Sequence, residues 1–125
     1  MAKQKRRNLE SISKMIFQRD IVLLSFPFSD LKQSKVRPVI VLSNDKHNDI
    51  SEDIIVIPLT SNITKMVHDI LITNNHLERG NLITDSRAKV DMIFSVHKKL
   101  VKMNIGKINK QTHFKIKRIL LDLLK

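Results

Sequence analysis

The most specific chemistry in this chain is offered by one arginine and two hydroxyls. Arg37 lies between two apolar runs in FPFSDLKQSKVRPVIVLSN, and Thr60 and Ser61 close the next run, DIIVIPLTS. If these runs are antiparallel neighbours, the start of one lies beside the end of the other, and Arg37 faces Thr60 and Ser61. A guanidinium offers a fixed fork of donors and hydroxyls fill the remaining oxygens, an arrangement that suits a phosphate. A surface arginine ahead of a strand-opening proline accounts for the same spacing equally well.

Two other sets of residues offer weaker chemistry. Five histidines, His47, His68, His76, His97 and His113, are scattered without an HxH or HxxxH spacing. A pair of them would serve a ribonuclease as base and acid, but exposed histidines explain the scatter more simply. Asp85 and Asp91 flank Arg87 and Lys89, a loose match to a magnesium nuclease, which needs acids gathered at one end of a sheet. An aspartate opening a strand and another ending it are more often turn and capping residues. P-loop, dinucleotide-binding and zinc signatures are absent.

The charge distribution points to a polyanion. The chain of 125 residues carries a net charge of +11 and no cysteine, which excludes disulfides and thiolate metal sites and suits a reducing cytoplasm. Residues 1–19 hold six Lys/Arg against Glu10, and residues 98–125 hold nine against Asp122. Between them, eight Lys/Arg face ten Asp/Glu. If the fold brings the two ends together they form one basic surface, which favours nucleic acid over membrane because no strongly apolar helix face accompanies the N-terminal charges. The basic start lacks the apolar stretch of a signal peptide, and no run is long enough to span a bilayer.

The elements that must position Arg37 and Thr60 read as strands. IVLLSFPF, PVIVLS and DIIVIPLT are short, β-branched and bounded by polar residues, and HDILIT is a fourth candidate. LITDSRAKVDMIF holds one or two more, and KKLVKMNIGKI reads as the last strand, ending near Gly106. The runs lack polar alternation, so both faces are expected to be covered. Pro58 implies an edge position or a bulge late in its strand. In NKQTHFKIKRILLDLLK the positions Thr112, Ile116, Ile119, Leu120 and Leu123 follow helical spacing after an Asn109 N-cap. Residues 1–10 read as a flexible basic arm and 11–18 as a short helical turn. The fold class is thus mainly β with helices: a small antiparallel barrel or curled sheet with a C-terminal helix, over residues 19–125, preceded by a basic extension, 1–18.

RDIVLLSFPFSDLKQSKVRPVIVLSN, DIIVIPLTSNI and LITDSRAKVDMIFSVHKKLVKMNIGKI, with the closing helix, resemble the MazF/PemK toxin family in composition and order, over about residues 19 to 124. The resemblance implies an SH3-like barrel, a homodimer, and a metal-independent endoribonuclease that cuts single-stranded RNA at short sequences, needs no cofactor, and is silenced by a cognate antitoxin with an acidic segment. By matching position it makes Arg37 and Thr60 catalytic, with Ser61, Asp20, Lys35, Ser86 and Lys89 expected to bind substrate. Two positions depart from the family pattern: Arg19 stands where a glycine precedes Asp20, and Met92 stands where a glutamine ends the DSxxKxDQ-like stretch. The chain has no Trp or Tyr, and Phe26, Phe28 and Phe94 are assigned to the core. Base recognition is therefore expected to rest on hydrogen bonds and 2′-hydroxyl contacts. The same fold also serves the gyrase poison CcdB, so a protein-binding toxin and a non-cleaving nucleic-acid binder are the rival readings.

Overall fold

The apolar runs are uninterrupted because the sheet they form is packed on both faces. A computed structural model describes residues 15–27 and 34–125. The basic arm and most of the expected turn over 11–18 lie outside them, and residues 15–19 are not helical. Eight strands appear among the described residues: β1 (Asp20–Pro27), β2 (Ser34–Val41), β3 (Asp53–Thr60), β4 (Asp69–Ile72), β5 (Leu77–Gly80), β6 (Ser86–Lys89), β7 (Phe94–His97) and β8 (Val101–Ile108). All pairings are antiparallel, in the order β4-β6-β3-β2-β1-β8-β5, with β7 also on β3. Helix α1 (Asp45–Ile50) links β2 to β3, and α2 (Lys110–Leu123) ends the chain. The result is a half-barrel sheet with a C-terminal helix. Among the described residues no helix is long and apolar enough to cross a membrane.

Successive residues of one strand serve different cores, as the two-residue strand period requires. Ile21, Ile40, Ile57 and Leu59 join Ile72, Ala88 and Ile108 beneath α2, which contributes Ile116 with Ile119, Leu120 and Leu123 at its edge. Val22, Leu24, Val39, Val41, Ile54 and Val56 pack on the other face with Ile16 and Val96. Each fully buried side chain of this kind stabilises the fold by about 1.5–3 kcal/mol. The helix starts as expected: the Asn109 side chain accepts from the Thr112 amide at 2.8 Å. Strand β8 runs to Ile108, two residues beyond the expected end at Gly106.

Pro58 sits where β3 changes partners. The β2 ladder reaches Val39↔Pro58, β7 pairs only as far as Val56, and β6 takes over at Leu59. A residue without an amide hydrogen costs no ladder bond at such a gap. Gly80 and Gly106 face each other across β5 and β8. At Gly80 φ is +84°, and an added Cβ would overlap the Ile105 carbonyl oxygen and the Gly106 Cα. Gly80→Ala is therefore expected to destabilise the protein by more than about 2 kcal/mol, read as a lower urea midpoint with an unchanged slope.

Arg19 keeps the left-handed backbone that suits a glycine, with φ of 78°. Its Nη1 donates to the Ile108 carbonyl and to Glu78 Oε1, both at 2.9 Å. Those bonds offset the strain, so the substitution leaves the turn before β1 intact. The hydrogen bond from Arg19 leads the causes that hold the Glu78 carboxyl below its usual range.

His113, on α2, is buried, and burial followed by repulsion from Lys117 and Arg19 holds its pKa below the usual value. The neutral ring is thus the form the fold accepts. Its contribution is complete above the unfolded value of about 6.5 and is lost progressively as pH falls below it. Thermal midpoints should drop on acidification from pH 7 to 5, and His113→Gln should flatten that drop.

Candidate active site

The β2–β3 register brings the two strand ends together. Val39 pairs with Pro58 at the end of that ladder, and Arg37 and Thr60 each lie two residues beyond it. Both side chains line one cavity of about 550 Å³, and Lys89, at the end of β6, lines it too. Arg37 is exposed and makes no ion pair among the described residues. Thr60 Oγ1 accepts from the Asn62 amide at 3.2 Å, a bond that does not use the hydroxyl proton. Asn62 Oδ1 accepts from the Thr64 amide at 3.1 Å, so the loop after β3 is folded tightly on itself. Asn62 and Thr64 form part of the cavity wall.

The same cavity is lined by a carboxylate that shows no sign of function in the sequence. Asp69, at the start of β4, has a side chain only 1% exposed. Its Oδ1 accepts from Arg87 Nε at 2.8 Å and lies 2.7 Å from Arg87 Nη2. Its Oδ2 accepts from the Met66 amide at 3.1 Å and lies 3.9 Å from Lys89 Nζ. Burial by itself would raise the Asp69 pKa. The hydrogen bonds from Arg87 and Met66 and the charges of Arg87 and Lys89 outweigh it and hold the carboxyl below its usual range.

The remaining walls are apolar. Pro58, Met66, Met92 and Phe94 line the same cavity, and Met66 and Met92 are more than half exposed. Phe94 also packs against the second core. Its assignment to the core is thus incomplete, since one ring serves both core and cavity. Met92, the departure from the family glutamine, lends the cavity a thioether in place of an amide. Phe28 and the side chain of Phe26 lie outside the described residues.

The other expected site residues divide by position. Ser61 follows Thr60 and is exposed, but it is not part of the cavity lining. Lys35 is exposed on β2, two residues before Arg37 and on the same strand face. Ser86 is buried on the core-facing side of β6, opposite to Lys89, and its Oγ donates to the Thr84 carbonyl at 3.2 Å. Asp20 is fully buried away from the cavity. There its Oδ2 accepts from the Phe17 amide at 2.8 Å, and its Oδ1 lies 3.5 Å from Arg79 and 3.6 Å from Lys107. No histidine lines the cavity. Asp85 precedes β6 and Asp91 follows it, separated by roughly 13 Å of strand. Among the described residues no three His, Asp or Glu side chains gather as metal ligands.

An arginine, a hydroxyl, an ammonium and a carboxylate thus line one cavity whose remaining walls are apolar. Residues 17–124 match the family of PemK-like, MazF-like toxins of type II toxin–antitoxin systems. The chain belongs to that family. Its fold is similar to that of an endoribonuclease from a mycobacterial species, with a TM-score of 0.70, 15% identity, and coverage of 88% of this chain and 91% of that one. It is similar also to the MazE–MazF crystal structure from Deinococcus radiodurans, with a TM-score of 0.73, 17% identity, and coverage of 88% and 96%. A mycobacterial endoribonuclease in complex with its cognate antitoxin matches at 0.67, with 14% identity and coverage of 87% and 94%. No curated protein sequence matches the chain significantly.

Proposed function

We propose that this protein is a toxin-type endoribonuclease that cuts single-stranded RNA without a metal ion, at the cavity between β2, β3 and β6. The observation that carries this reading is the convergence of Arg37, Thr60 and Lys89 on one cavity with room for a nucleotide. Membership of the toxin family and the endoribonuclease and antitoxin-complex names of structural relatives support it.

In this mechanism the ribose 2′-hydroxyl attacks the adjacent phosphorus as the bond from phosphorus to the 5′-oxygen breaks. The products are a 2′,3′-cyclic phosphate and a 5′-hydroxyl. Negative charge grows on the non-bridging oxygens, and Arg37 meets it with two parallel donors while the Thr60 hydroxyl donates to the same group. Lys89 holds a phosphate from the opposite wall. Asp69 is a poor proton acceptor, because its ion pair and hydrogen bonds favour the ionised form. Arginine is no better, since a guanidinium has no lone pair to accept a proton. Water takes the 2′-proton, and water returns a proton to the departing 5′-oxygen to give the 5′-hydroxyl.

The protein acts as a homodimer on cytoplasmic messenger RNA, and a cognate antitoxin with an acidic segment neutralises it. The basic chain suits both RNA and an acidic partner. The test is incubation of the pure protein with mixed-sequence single-stranded RNA in excess EDTA, followed by mapping of the new ends. Discrete cuts with 5′-hydroxyl ends are expected. Intact RNA would favour a protein-binding toxin, and cleavage restored only by magnesium would favour the carboxylates.

A further inference from the structure

We propose that Asp69 is the positioning residue of this cavity: by binding Arg87, Lys89 and the Met66 amide together, it limits the site to one registered phosphate position. The inference rests on the phosphate-cleaving reading of the same site. Its observations are separate, however, because Asp69 acts on groups other than Arg37 and Thr60.

Three elements meet at this carboxylate. Arg87 reaches it from β6 by two short contacts, at 2.7 and 2.8 Å. The Met66 amide ties the loop between β3 and β4 to it at 3.1 Å. Lys89 lies 3.9 Å away, too far for a hydrogen bond yet near enough for attraction. The register explains the grouping. Asp69 pairs with Lys89 and Leu71 with Arg87, so Arg87 is the diagonal neighbour of Asp69 on the same face.

The arrangement has two consequences for a bound phosphate. Arg87, committed to Asp69 and mostly buried, does not compete with Arg37 for the phosphate. Lys89 remains in the cavity wall but is drawn toward Asp69, which restricts where its ammonium can meet an oxygen. Without the carboxylate, two cations are released beside the cavity and the loop bearing Asn62, Thr64 and Met66 loses its anchor. An anion would then bind more tightly and less well placed.

Asp69→Asn should therefore tighten binding while slowing chemistry, a combination that simple loss of fold does not produce. Affinity would be measured on an all-2′-deoxy single-stranded oligonucleotide across a salt series, and turnover on the matching RNA. The variant should bind a few-fold more tightly, with its logarithmic salt slope steeper by about 0.7, one further phosphate contact. Its kcat should fall about tenfold, since small misplacements at a reacting centre are costly. Arg87→Met should shift binding the opposite way, because Lys89 then becomes the carboxylate's main partner.

Opposite shifts in the two variants would support the inference even if wild-type protein cleaves no RNA, a result that would overturn only the ribonuclease reading. Wild-type cleavage with unchanged kcat and affinity in Asp69→Asn would overturn the inference alone. A lowered thermal midpoint with normal kcat and KM per folded molecule would do the same, leaving Asp69 a structural role. Failure of the wild type to bind the oligonucleotide would overturn the inference, and the ribonuclease reading as well only if the matching RNA also stays intact.

Discussion

Arg37→Ala is expected to lower RNA cleavage by about 10²- to 10³-fold, the usual effect of removing a donor aimed at transition-state charge. The thermal midpoint should not move. Arg37 is exposed, and among the described residues it makes no ion pair whose loss would leave a buried charge. The loss should appear in kcat more than in KM, because the charge it meets grows only as the 2′-oxygen attacks. Arg37→Lys should recover part of the rate, since an ammonium keeps the charge but not the two parallel donors. Single-turnover cleavage in EDTA beside a circular-dichroism melt would check both. A folded alanine variant with full activity would remove Arg37 from the mechanism.

Thr60→Val carries the second large effect. Valine keeps the shape of the residue at the end of β3 and removes the hydroxyl proposed to donate to the phosphate. A hydrogen bond to a charged group contributes about 1.5–3 kcal/mol, so kcat should fall about 10- to 150-fold. The Asn62 amide loses its 3.2 Å acceptor, but in an exposed loop water replaces it at little cost. Thr60→Ser restores the donor and should restore most of the rate. Equal activity of valine and wild-type proteins would show that Arg37 and Lys89 suffice for the phosphate.

That Arg37 and Thr60 border one cavity was legible because it needed only local facts. Two apolar runs separated by a short polar connection favour antiparallel neighbours, and the ends of such neighbours meet. The helix was legible for a similar reason: its apolar spacing and Asn109 cap lie within one segment. Helix α1 and strand β5 were not expected. The segment DKHNDI is six residues long with Asn48 as its only buried position, so it lacks an apolar stripe. Strand LERG lies at the sheet edge and is largely exposed, so it lacks alternation.

Lys89 could be placed only by its likeness to a family motif, and Asp69 not at all. An aspartate opening a short strand has the same local pattern whether it caps a turn or organises a site. The pairing of β4 with β6 separates these cases, because it sets Asp69 beside two cations from a segment about twenty residues further along the chain. Phe94 shows the same limit: hydrophobicity marks it for burial, but only the curl of the sheet turns it to cavity and core together.

The sequence by itself determined the sheet, the closing helix, the excess of positive charge and the arginine–threonine pair, because each is set by periodicity, composition or neighbouring strands. The tertiary structure alone decided which charges are spent on each other and which remain for a ligand. Electrostatic partnership depends on distances across non-adjacent strands, and no local pattern encodes those. Asp20 and Asp69 are both strand-opening aspartates; the fold buries one among Arg79 and Lys107 and sets the other in the cavity lining beside Arg87 and Lys89.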